Sequence, residues 1–435
     1  MTTITRRKVF GVGGAAVLAG APSAYASEGP KVDEIGFDLR RYAGYGRKNS
    51  GGDGDAATGD WIAQELKNVG FLIRRQPVDV PWFEAKSATI SVEGEGAPLL
   101  PIGIVRPTSD SGVSGPAIYL RPQAGSTSSL KGAVAVIDLP FQRWSSARSE
   151  PIRGILERAA AEGAAAAIFI TNGPTGEAIA LNSDGRAPAA LCPSAVLAPK
   201  AAAPVLTAAM QSRLATVKIT GAGGRREAFN VIATLKRGGG KWLVVSTPRS
   251  GWTVCGGERG PGIVAFLALA RWAPAAFPDH NLKFLCHSGH EYENLGAAEA
   301  LRSAAPKPAE TDFWLHLGAN LAARDWHEAG VHGLLPLPSA DPQRFLLVSP
   351  HLMEFAKRKF HGLAGLESPY PTTGGADGEL REIVAAGFVS VAGIFGAHRF
   401  HHVDGDDLRC VEPALVSPVV ERLKSFLMEF LRDRR

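Results

Sequence analysis

Residues 242–270 read WLVVSTPRSGWTVCGGERGPGIVAFLALA, and the order of elements within them decides the fold class. Trp242 to Thr247 is a short run rich in β-branched and apolar residues, which predicts a buried strand. Pro248 to Arg259 is polar and contains several glycines, which predicts a loop. Gly260-Pro261-Gly262 then places Pro in the first turn of a helix. The predicted apolar face of that helix is formed by Ile263, Phe266, Leu267 and Ala270.

The same alternation of strands and helices continues on either side of this stretch. Further buried strands are predicted at Val231 to Lys236, Leu282 to His287 and Phe313 to Leu317. The last helix carries apolar residues on one face at Leu415, Val419, Leu423 and Phe426. Regular alternation of this kind predicts an α/β fold, with a mainly parallel twisted sheet and helices on both of its faces.

Between residues 86 and 225 the sequence changes to an Ala-, Gly- and Pro-rich texture with short apolar runs. Predicted strands at Ala133 to Ile137 and Ala166 to Ile170 flank an Ala-rich helix around Ile155 to Ala161. The change predicts a smaller β-rich inserted domain, and the pattern resembles the protease-associated domain of many exopeptidases. The predicted organisation is a signal at 1–26, an α/β domain at 27–85 and 226–435, and the inserted domain at 86–225.

The first 26 residues have the three parts of a twin-arginine export signal. Arg6-Arg7-Lys8 gives a cationic start, and an apolar stretch too short to span a bilayer follows it. Ala24-Tyr25-Ala26 offers the small residues that a signal peptidase recognises. No later stretch approaches the length of a membrane span, so we expect no membrane anchor once the signal is removed. The expected location is the periplasm or the medium outside the cell.

Composition narrows the class of protein and its partners. Of 435 residues, 45% are hydrophobic and 20% are charged, as in globular and unlike disordered proteins. The net charge of +5 comes from scattered residues without a basic stripe, so nucleic acid is not an expected partner. The four cysteines lie far apart, which leaves both disulfide pairing and free buried thiols open. Nothing in the sequence indicates an oligomeric state.

Three polar loops follow predicted strands. They are Pro248 to Arg259, Ser288 to Glu291 and His398 to Asp406. Because reactive groups in open α/β sheets gather at the carboxyl ends of strands, we expect these loops to lie together. The second loop contains His290 beside Glu291, and the third contains His402. Imidazole and carboxylate are ordinary zinc ligands, so the loops predict a metal site.

In the order and spacing of these segments the chain resembles the family of zinc aminopeptidases and carboxypeptidases that also includes glutaminyl cyclase. The likeness covers about residues 30–85 and 226–435. Its motifs are Asn230-Val231-Ile232, Gly256 to Gly262, Phe284 to Gly296 and Phe400 to Asp406. The resemblance implies a zinc-aminopeptidase-like fold. It also implies a site that in the family usually holds two zinc ions, with a glutamate as general base.

The resemblance implies that one of these two metal sites is lost. The first metal-binding histidine of the family falls on Pro248 and an acidic ligand falls on Gly318, and both serve the same ion. The ligands of the other ion fall on Glu258, Glu291 and His402. Three ligands with an open position for water suffice for a catalytic zinc, as in glutaminyl cyclases. The expected cofactor is therefore one divalent metal, with zinc as the metal that the family uses.

The general base of the family falls on His290, and an imidazole with an ordinary pKa of about 6.5 can do that work near neutral pH. Asp377 falls where the family keeps an aspartate, which could orient the imidazole. Arginine suits the binding of an anionic group. The expected substrate-binding residues of the cleft are Arg249, Arg259, Trp252, His316 and His401.

These residues together predict an exported metal-dependent hydrolase that acts on peptide, amide or related small polar substrates. Cyclase or lyase chemistry on the same scaffold is an alternative, because a histidine beside a Lewis acid also suits elimination. A metal-free binding protein or an inactive homologue is another. The residues also have structural explanations: Glu258 could cap the following helix, and His316 could be a satisfied core side chain.

Overall fold

The computed structural model describes residues 32–122, 129–188 and 192–432. The predicted export signal at 1–26 lies outside these described residues. The helices are α1 (Val32–Gly44), α2 (Asp53–Asn68), α3 (Ile152–Glu162), α4 (Ala203–Met210), α5 (Gly260–Ala276), α6 (Leu295–Ser303), α7 (Met353–Lys359), α8 (Glu379–Ala385) and α9 (Pro413–Arg432). The strands are β1 (Leu72–Val92), β2 (Glu95–Pro101), β3 (Val113–Leu120), β4 (Val134–Asp138), β5 (Ala166–Ile170), β6 (Ser194–Leu197), β7 (Leu214–Leu235), β8 (Trp242–Pro248), β9 (Asn281–His287), β10 (Thr311–Leu317), β11 (Arg324–Glu328), β12 (Leu334–Ala340), β13 (Arg344–Val348), β14 (Tyr370–Pro371) and β15 (Val391–Gly396).

Most of these strands belong to one large mixed sheet. Its order is β1-β2-β6-β5-β4-β3-β7-β9-β8-β10-β15-β13-β14. β9, β8, β10 and β15 run parallel to one another, whereas β7 and β13 pair antiparallel on either side of them. The parallel centre confirms the predicted α/β class. The flanking antiparallel strands were not part of the prediction.

Helices cover both faces of this centre. On one face α1, α2, α5 and α9 share a core with side chains of the parallel strands, and α6 and α8 cover the other face. α5 is buried on all sides, and the rings of Phe266 and Phe71 each meet Phe284 at 5.2 Å. The sequence predicted one apolar face for α5, but the helix is buried all round and has no solvent-facing side along most of its length.

Two long strands lead into the segment between residues 86 and 225. β1 and β7 pair antiparallel from Leu72 opposite Thr234 to Val92 opposite Ala215. β2 to β6, α3 and α4 lie between them in sequence and pack around two further clusters of buried residues. The predicted boundaries at 86 and 225 fall inside β1 and β7, where strand conformation is continuous. The assignment of this segment as a protease-associated-like domain stays a prediction.

Other elements agree with the sequence to different degrees. β5 has the bounds predicted for it. The strand predicted at Val231 to Lys236 is only the last part of β7, because pairing with β1 extends that strand to Leu214. The antiparallel hairpin of β11 and β12 was not predicted. All four cysteines are buried and free. In the described part of the chain, no helix combines the length and the apolar character needed to cross a membrane.

Candidate active site

The central parallel strands end at one edge of the sheet, and the loops after them build a pocket. β8 ends at Pro248, β9 at His287, β10 at Leu317 and β15 at Gly396. This edge is where ligands bind in open α/β sheets. The pocket has a volume of about 180 Å³. The polar residues in its lining include Asn182, Arg259, His290, Glu293, His316, Asp377, Glu379, Arg381 and His401.

His290 lines this pocket and contacts a buried carboxylate. Its Nδ1 lies 3.3 Å from Oε1 of Glu379, whose Oε2 lies 2.7 Å from Nδ1 of His287. Burial opposes ionisation of Glu379, but the two imidazoles outweigh it and hold the pKa of Glu379 well below its ordinary value. Because an ionised carboxylate only accepts hydrogen bonds, both Nδ1 atoms donate to it.

The contact with Glu379 decides which nitrogen of His290 is available. With its proton on Nδ1, the neutral ring keeps a lone pair on Nε2. Burial lowers the pKa of His290, and the charge of Arg259 reinforces that effect against the raising influence of Glu379. His290 is therefore uncharged near neutral pH, with Nε2 free to accept a proton.

His316 forms another wall of the pocket and is a donor. Its Nδ1 lies 2.9 Å from Oγ of Ser246, and that oxygen accepts a hydrogen bond from Nε1 of Trp314 at 2.8 Å. In the tautomer in which the Ser246 hydroxyl donates to Nδ1, the proton of the neutral ring is on Nε2. Burial lowers the pKa of His316 to about 3, so the ring stays neutral at physiological pH.

Glu258, His401 and His402 offer the donors of a metal site and are called here the candidate metal group. One ligand atom of each lies within 4.8 Å of the others, and all three residues are buried. Nε2 of His402 lies 3.3 Å from Oε1 of Glu258, and Nε2 of His401 lies 4.0 Å from the same oxygen. The two rings stack with their centroids 4.2 Å apart.

The candidate metal group fits a divalent ion on three counts. Neither carboxylate oxygen of Glu258 has a hydrogen-bond partner among the described residues, and its close contact with Nη2 of Arg259 at 2.7 Å is an ion pair only. Nδ1 of His402 donates to the backbone oxygen of Ala180 at 3.0 Å, so its Nε2 keeps the lone pair that a metal needs. Burial lowers the pKa of His401 well below its ordinary value, so this ring is neutral, as metal-binding imidazoles are.

Arg259 is a second cation beside the same carboxylate. Its Nη2 lies 2.7 Å from Oε1 of Glu258, and its Nε donates to the backbone oxygen of Ser250 at 3.1 Å. Burial opposes ionisation of Glu258, but Arg259 and the two imidazoles outweigh it and hold the pKa of Glu258 well below its ordinary value. A metal ion would therefore share Glu258 with this guanidinium.

Glu291, predicted as a metal ligand, makes a different set of contacts. Its Oε1 accepts a hydrogen bond from the backbone N–H of Ser50, and its Oε2 accepts one from the hydroxyl of Ser250, both at 2.8 Å. It belongs to none of the possible ligand groups found in the described part of the chain. His401, expected in the cleft wall, lies beside Glu258 and His402. The ligand set predicted from the sequence stays a prediction.

Arg249 was predicted to bind substrate, but the structure places it behind the pocket. The side chain is fully buried, and its Nε lies 2.9 Å from Oδ1 of Asp55. The three guanidinium nitrogens donate to the backbone oxygens of Asp55, Phe229 and Cys286. Each of its three nitrogens is bonded to the protein, so Arg249 links α2, β7 and β9, and it is not part of the lining of this pocket.

Asp377 and Trp252 also differ from their predicted roles. Asp377 lines the pocket but is exposed, and the carboxylate that contacts His290 belongs to Glu379. Gly378, with a φ of 58°, lies between these two acids, of which only the second is buried. Trp252 is not among the residues that line the pocket, and its Nε1 donates to Oδ1 of the lining residue Asn182 at 2.9 Å.

The two positions at which the family resemblance places ligands of a second metal carry none. Pro248 ends β8 and has no ligand atom. Gly318 has no side chain, and a Cβ built there would lie only 2.6 Å from the backbone oxygen of Ile394. Any side chain at 318 therefore requires the backbone of β10 or β15 to move.

Asp406 fixes the loop that carries Glu258. Its Oδ1 accepts from the backbone N–H of Gly257 at 2.6 Å, and its Oδ2 accepts from that of Glu258 at 3.1 Å. Several non-glycine residues of these loops have positive φ, a strained conformation that occurs often at functional sites. They are Cys255, Glu293, Asn294, Asn320 and His402. The loops are thus held in a defined shape around the pocket.

Sequence reasoning missed Glu379, the carboxylate on which His290 depends. Its only local signal is its place at the start of α8 after a Gly-rich loop, where an acid is also favourable as a helix cap. His287, predicted as the last residue of a strand, shares the same carboxylate. Both residues became recognisable only when β9 and α8 were placed side by side.

The architecture that carries this pocket is found in solved structures of known enzymes. A zinc aminopeptidase from Bacillus subtilis, BSAP, matches with a TM-score of 0.71 at 16% identity, over 92% of this chain and 96% of that one. A peptidase M28 precursor from Shewanella amazonensis SB2B matches with a TM-score of 0.67 at 18% identity, over 91% and 92% of the two chains. The aminopeptidase from Aneurinibacillus sp. strain AM-1 gives 0.65 at 14% identity, over 92% and 93%.

No protein-family model and no curated protein matches the sequence. At sequence identities of 14 to 18%, similarity to solved structures establishes the fold of this chain and not its reaction. On that ground the chain has the fold of the zinc aminopeptidases.

Proposed function

We propose that the protein is a metal-dependent hydrolase of peptides, amides or related small polar substrates. One observation carries the proposal: His290, neutral and held by the buried Glu379, lines the same pocket as His401 of the candidate metal group. A proton acceptor beside a metal-binding group is the combination that metal-assisted hydrolysis needs. The similarity in fold to zinc aminopeptidases supports this reaction class.

Each part has a separate role in the proposal. The candidate metal group would hold one divalent ion, zinc by analogy with the similar enzymes, and a bound ion would supply a Lewis acid that polarises a substrate carbonyl. Nε2 of His290 takes a proton from the attacking water and returns it to the leaving nitrogen. Glu379 stabilises the imidazolium that forms between these steps. A single ion is proposed because Pro248 and Gly318 offer no ligands for a second.

Elemental analysis of variants tests the ligand assignment. The purified protein is expected to contain one divalent ion per chain. Glu258→Gln and His401→Ala should lose it, since each removes one of only three ligands. Glu291→Gln is the matched control, because it alters a neighbouring buried carboxylate outside the candidate metal group. We expect this control to keep its metal.

Loss of the metal in both Glu258→Gln and Glu291→Gln, with retention in His401→Ala, would restore the ligand set predicted from the sequence. If the protein contains no stoichiometric metal, and neither zinc nor a chelator changes turnover or thermal stability, the metal-dependent proposal fails.

We also propose that the protein acts outside the cytoplasm after cleavage of its signal. The support is the order of Arg6-Arg7, a short apolar stretch and Ala24-Tyr25-Ala26. Amino-terminal sequencing of the exported protein should then begin at Ser27. Recovery of the protein in the cytoplasm with an intact terminus would contradict this part of the proposal alone.

One observation favours a metal-free alternative. Nη2 of Arg259 lies 2.7 Å from Oε1 of Glu258, so the guanidinium can neutralise that carboxylate without an ion. The protein would then be a binding protein or a metal-independent catalyst on the same fold. Ligand binding or turnover that persists in full after exhaustive chelation would support this alternative over the first proposal.

A further inference from the structure

The pocket contains a buried cation with an unused donor. Arg259 is 1% exposed and lines the pocket. Its Nε donates to the backbone oxygen of Ser250. Its Nη2 forms an ion pair with Glu258 but no hydrogen bond to the described residues, and Nη1 likewise has no hydrogen-bond partner among them. A buried charged donor without a partner costs free energy. The pocket therefore favours a ligand that accepts a hydrogen bond at this nitrogen.

His316 supplies a second donor to the same pocket. Its Nδ1 lies 2.9 Å from Oγ of Ser246, and with that hydroxyl as donor the neutral ring carries its N–H on Nε2. Gly318 keeps the space near this nitrogen open, because a Cβ there would lie 3.5 Å from Nε2. Where the family resemblance places an acidic metal ligand, this chain has an open space next to an N–H group.

The acidic groups of the pocket do not cancel these donors. Oε2 of Glu293 lies 3.0 Å from Nη1 of Arg148 and 3.2 Å from Nη2 of Arg381. Glu379 is bonded to two imidazoles. Asp377 is exposed and so is largely screened by solvent. Glu258 is ion-paired with Arg259 but leaves Nη1 of that arginine without a hydrogen bond. The part of the pocket beside Nη1 of Arg259 and Nε2 of His316 is thus suited to a negatively charged group.

We propose that Nη1 of Arg259 and Nε2 of His316 form an anion subsite that binds a carboxylate group of the substrate. Two N–H donors, one of them charged, match the two oxygens of a carboxylate. The inference rests on the proposed function and names its substrate class: small amides that carry a free carboxylate near the bond to be cleaved. The volume of about 180 Å³ corresponds to roughly six water molecules of about 30 Å³ each, which admits a single acylated amino acid.

Calorimetric titration with two matched probes tests this subsite. N-acetylglycine and N-acetylglycinamide differ only in the carboxylate, and the acid is expected to bind the purified protein about tenfold more tightly or better. Arg259→Met should reduce that preference to less than about twofold, because it removes the charged donor. Arg302→Met is the matched control, since Arg302 is exposed and lies outside this pocket. The control should keep the full preference.

A second variant covers the case in which Arg259→Met does not fold. Arg259→Lys keeps a cation beside Glu258 but loses the planar fork, so the preference for the acid should fall about threefold or more. Circular dichroism melting shows whether each variant is folded. Equal binding of the two probes to the unaltered protein would overturn the inference. An unchanged preference in folded Arg259→Lys would do the same.

The titrations are run on chelated and on zinc-supplied protein. A preference for the acid that needs zinc and survives Arg259→Lys would mean that the carboxylate binds the ion, and would overturn the subsite. Because the binding ratio needs neither metal nor turnover, it remains measurable even if the proposed hydrolase activity is absent. An active hydrolase without a preference for the acid would lose only the anion subsite.

Discussion

At the scale of single residues, the proposed chemistry depends on His290. The contact between its Nδ1 and Glu379 leaves Nε2 as the nitrogen that accepts a proton. His290→Ala removes Nε2, the atom that takes the proton, while leaving the candidate metal group unchanged. We expect turnover to fall by about 100-fold or more, with the metal content of the protein unaltered. Steady-state kinetics and elemental analysis on the same preparation check both halves. Turnover at the original rate would remove His290 from the mechanism.

Glu379 acts on the reaction through His290. The carboxylate raises the pKa of His290 against burial, so Glu379→Gln should lower that pKa further. The base must be unprotonated to work, and the acidic limb of the profile of kcat/KM against pH should therefore move to lower pH. We expect kcat to fall about tenfold or more, because the imidazolium loses its partner. An unmoved acidic limb would show that Glu379 has only a structural role.

Lys48 gives a separate prediction about stability. It is fully buried over the ring of Tyr42, with Nζ 4.3 Å from the ring centroid and 3.5 Å from the backbone oxygen of Val254. Burial lowers its pKa to about 8, whereas an unfolded lysine has a pKa of about 10.4. The unfolded state thus binds more protons between these two values, so the destabilising effect of Lys48 is present below pH 8 and is relieved as the pH rises.

The variant Lys48→Met has no ionisable group at position 48, so its stability does not depend on the titration of that side chain. Between pH 7 and pH 10, we expect the stability of the unaltered protein to increase relative to Lys48→Met by about 2 kcal/mol. Urea unfolding at both pH values measures this difference. A gap that stays constant with pH would show that the ammonium is better solvated than its burial suggests.

The sequence located some residues of the site and not others, for a physical reason. Glu258, His290 and His402 follow strands whose order along the chain predicted their convergence. Glu291 is engaged by Ser50, and Arg249 by Asp55, through contacts with a distant segment that no spacing or periodicity reveals. The local sequence pattern predicts which loop carries a side chain. It does not predict which residue that side chain contacts.

At the scale of elements, α6 packs its first turn against the loop that holds His290. A Cβ at Gly296 would lie 2.1 Å from the backbone oxygen of Ser288 and 2.5 Å from Oδ1 of Asn230. Since the first of these is backbone, Gly296→Ala must displace the helix or the loop. We expect a loss of about 1–3 kcal/mol in stability, measured by urea unfolding, together with a lower kcat.

Gly239→Ala is the matched control for Gly296→Ala. A Cβ at Gly239 meets no atom within 4 Å. Its stability should stay within about 0.5 kcal/mol of the unaltered protein. Equal effects of the two changes would show that α6 and the loop can adjust without cost.

Helices and strands were predictable from the sequence where a single apolar helix face or a single run of apolar residues marks them. β5 and the helices α2 and α9 have such patterns. β1 and β7 do not, because their length comes from pairing with each other over about 20 residues and not from local alternation. The same limit explains why the predicted boundaries at 86 and 225 fell within strands.

At the scale of the whole molecule, a metal bound by the candidate metal group should stabilise the folded chain. A ligand that binds only the folded state adds about 3 kcal/mol at 100 times its dissociation constant. Zinc is therefore expected to raise the Tm of the chelated protein, and Glu258→Gln should abolish this rise. Calorimetry with Glu291→Gln as control checks it. A rise of equal size in Glu258→Gln would place the ion elsewhere.

The candidate metal group also joins distant parts of the chain. The backbone N–H of Ala180 donates to the backbone oxygen of His402 at 3.0 Å, and Nδ1 of His402 donates to the backbone oxygen of Ala180 at 3.0 Å. A residue from the segment between 86 and 225 thus sets the orientation of a candidate ligand on the loop after β15. The geometry of this group depends on correct placement of both segments.

Gly318 and the pair formed by Arg249 and Asp55 also limit what a point mutation can add to this pocket. An acid at 318 would collide with the backbone oxygen of Ile394, 2.6 Å from a Cβ. A histidine at 248 would stand next to an arginine already anchored to Asp55 at 2.9 Å. A second metal site would need a ligand at both positions together with a backbone shift near Ile394, so no single mutation supplies it. The number of ions that this scaffold can hold is therefore insensitive to point mutation.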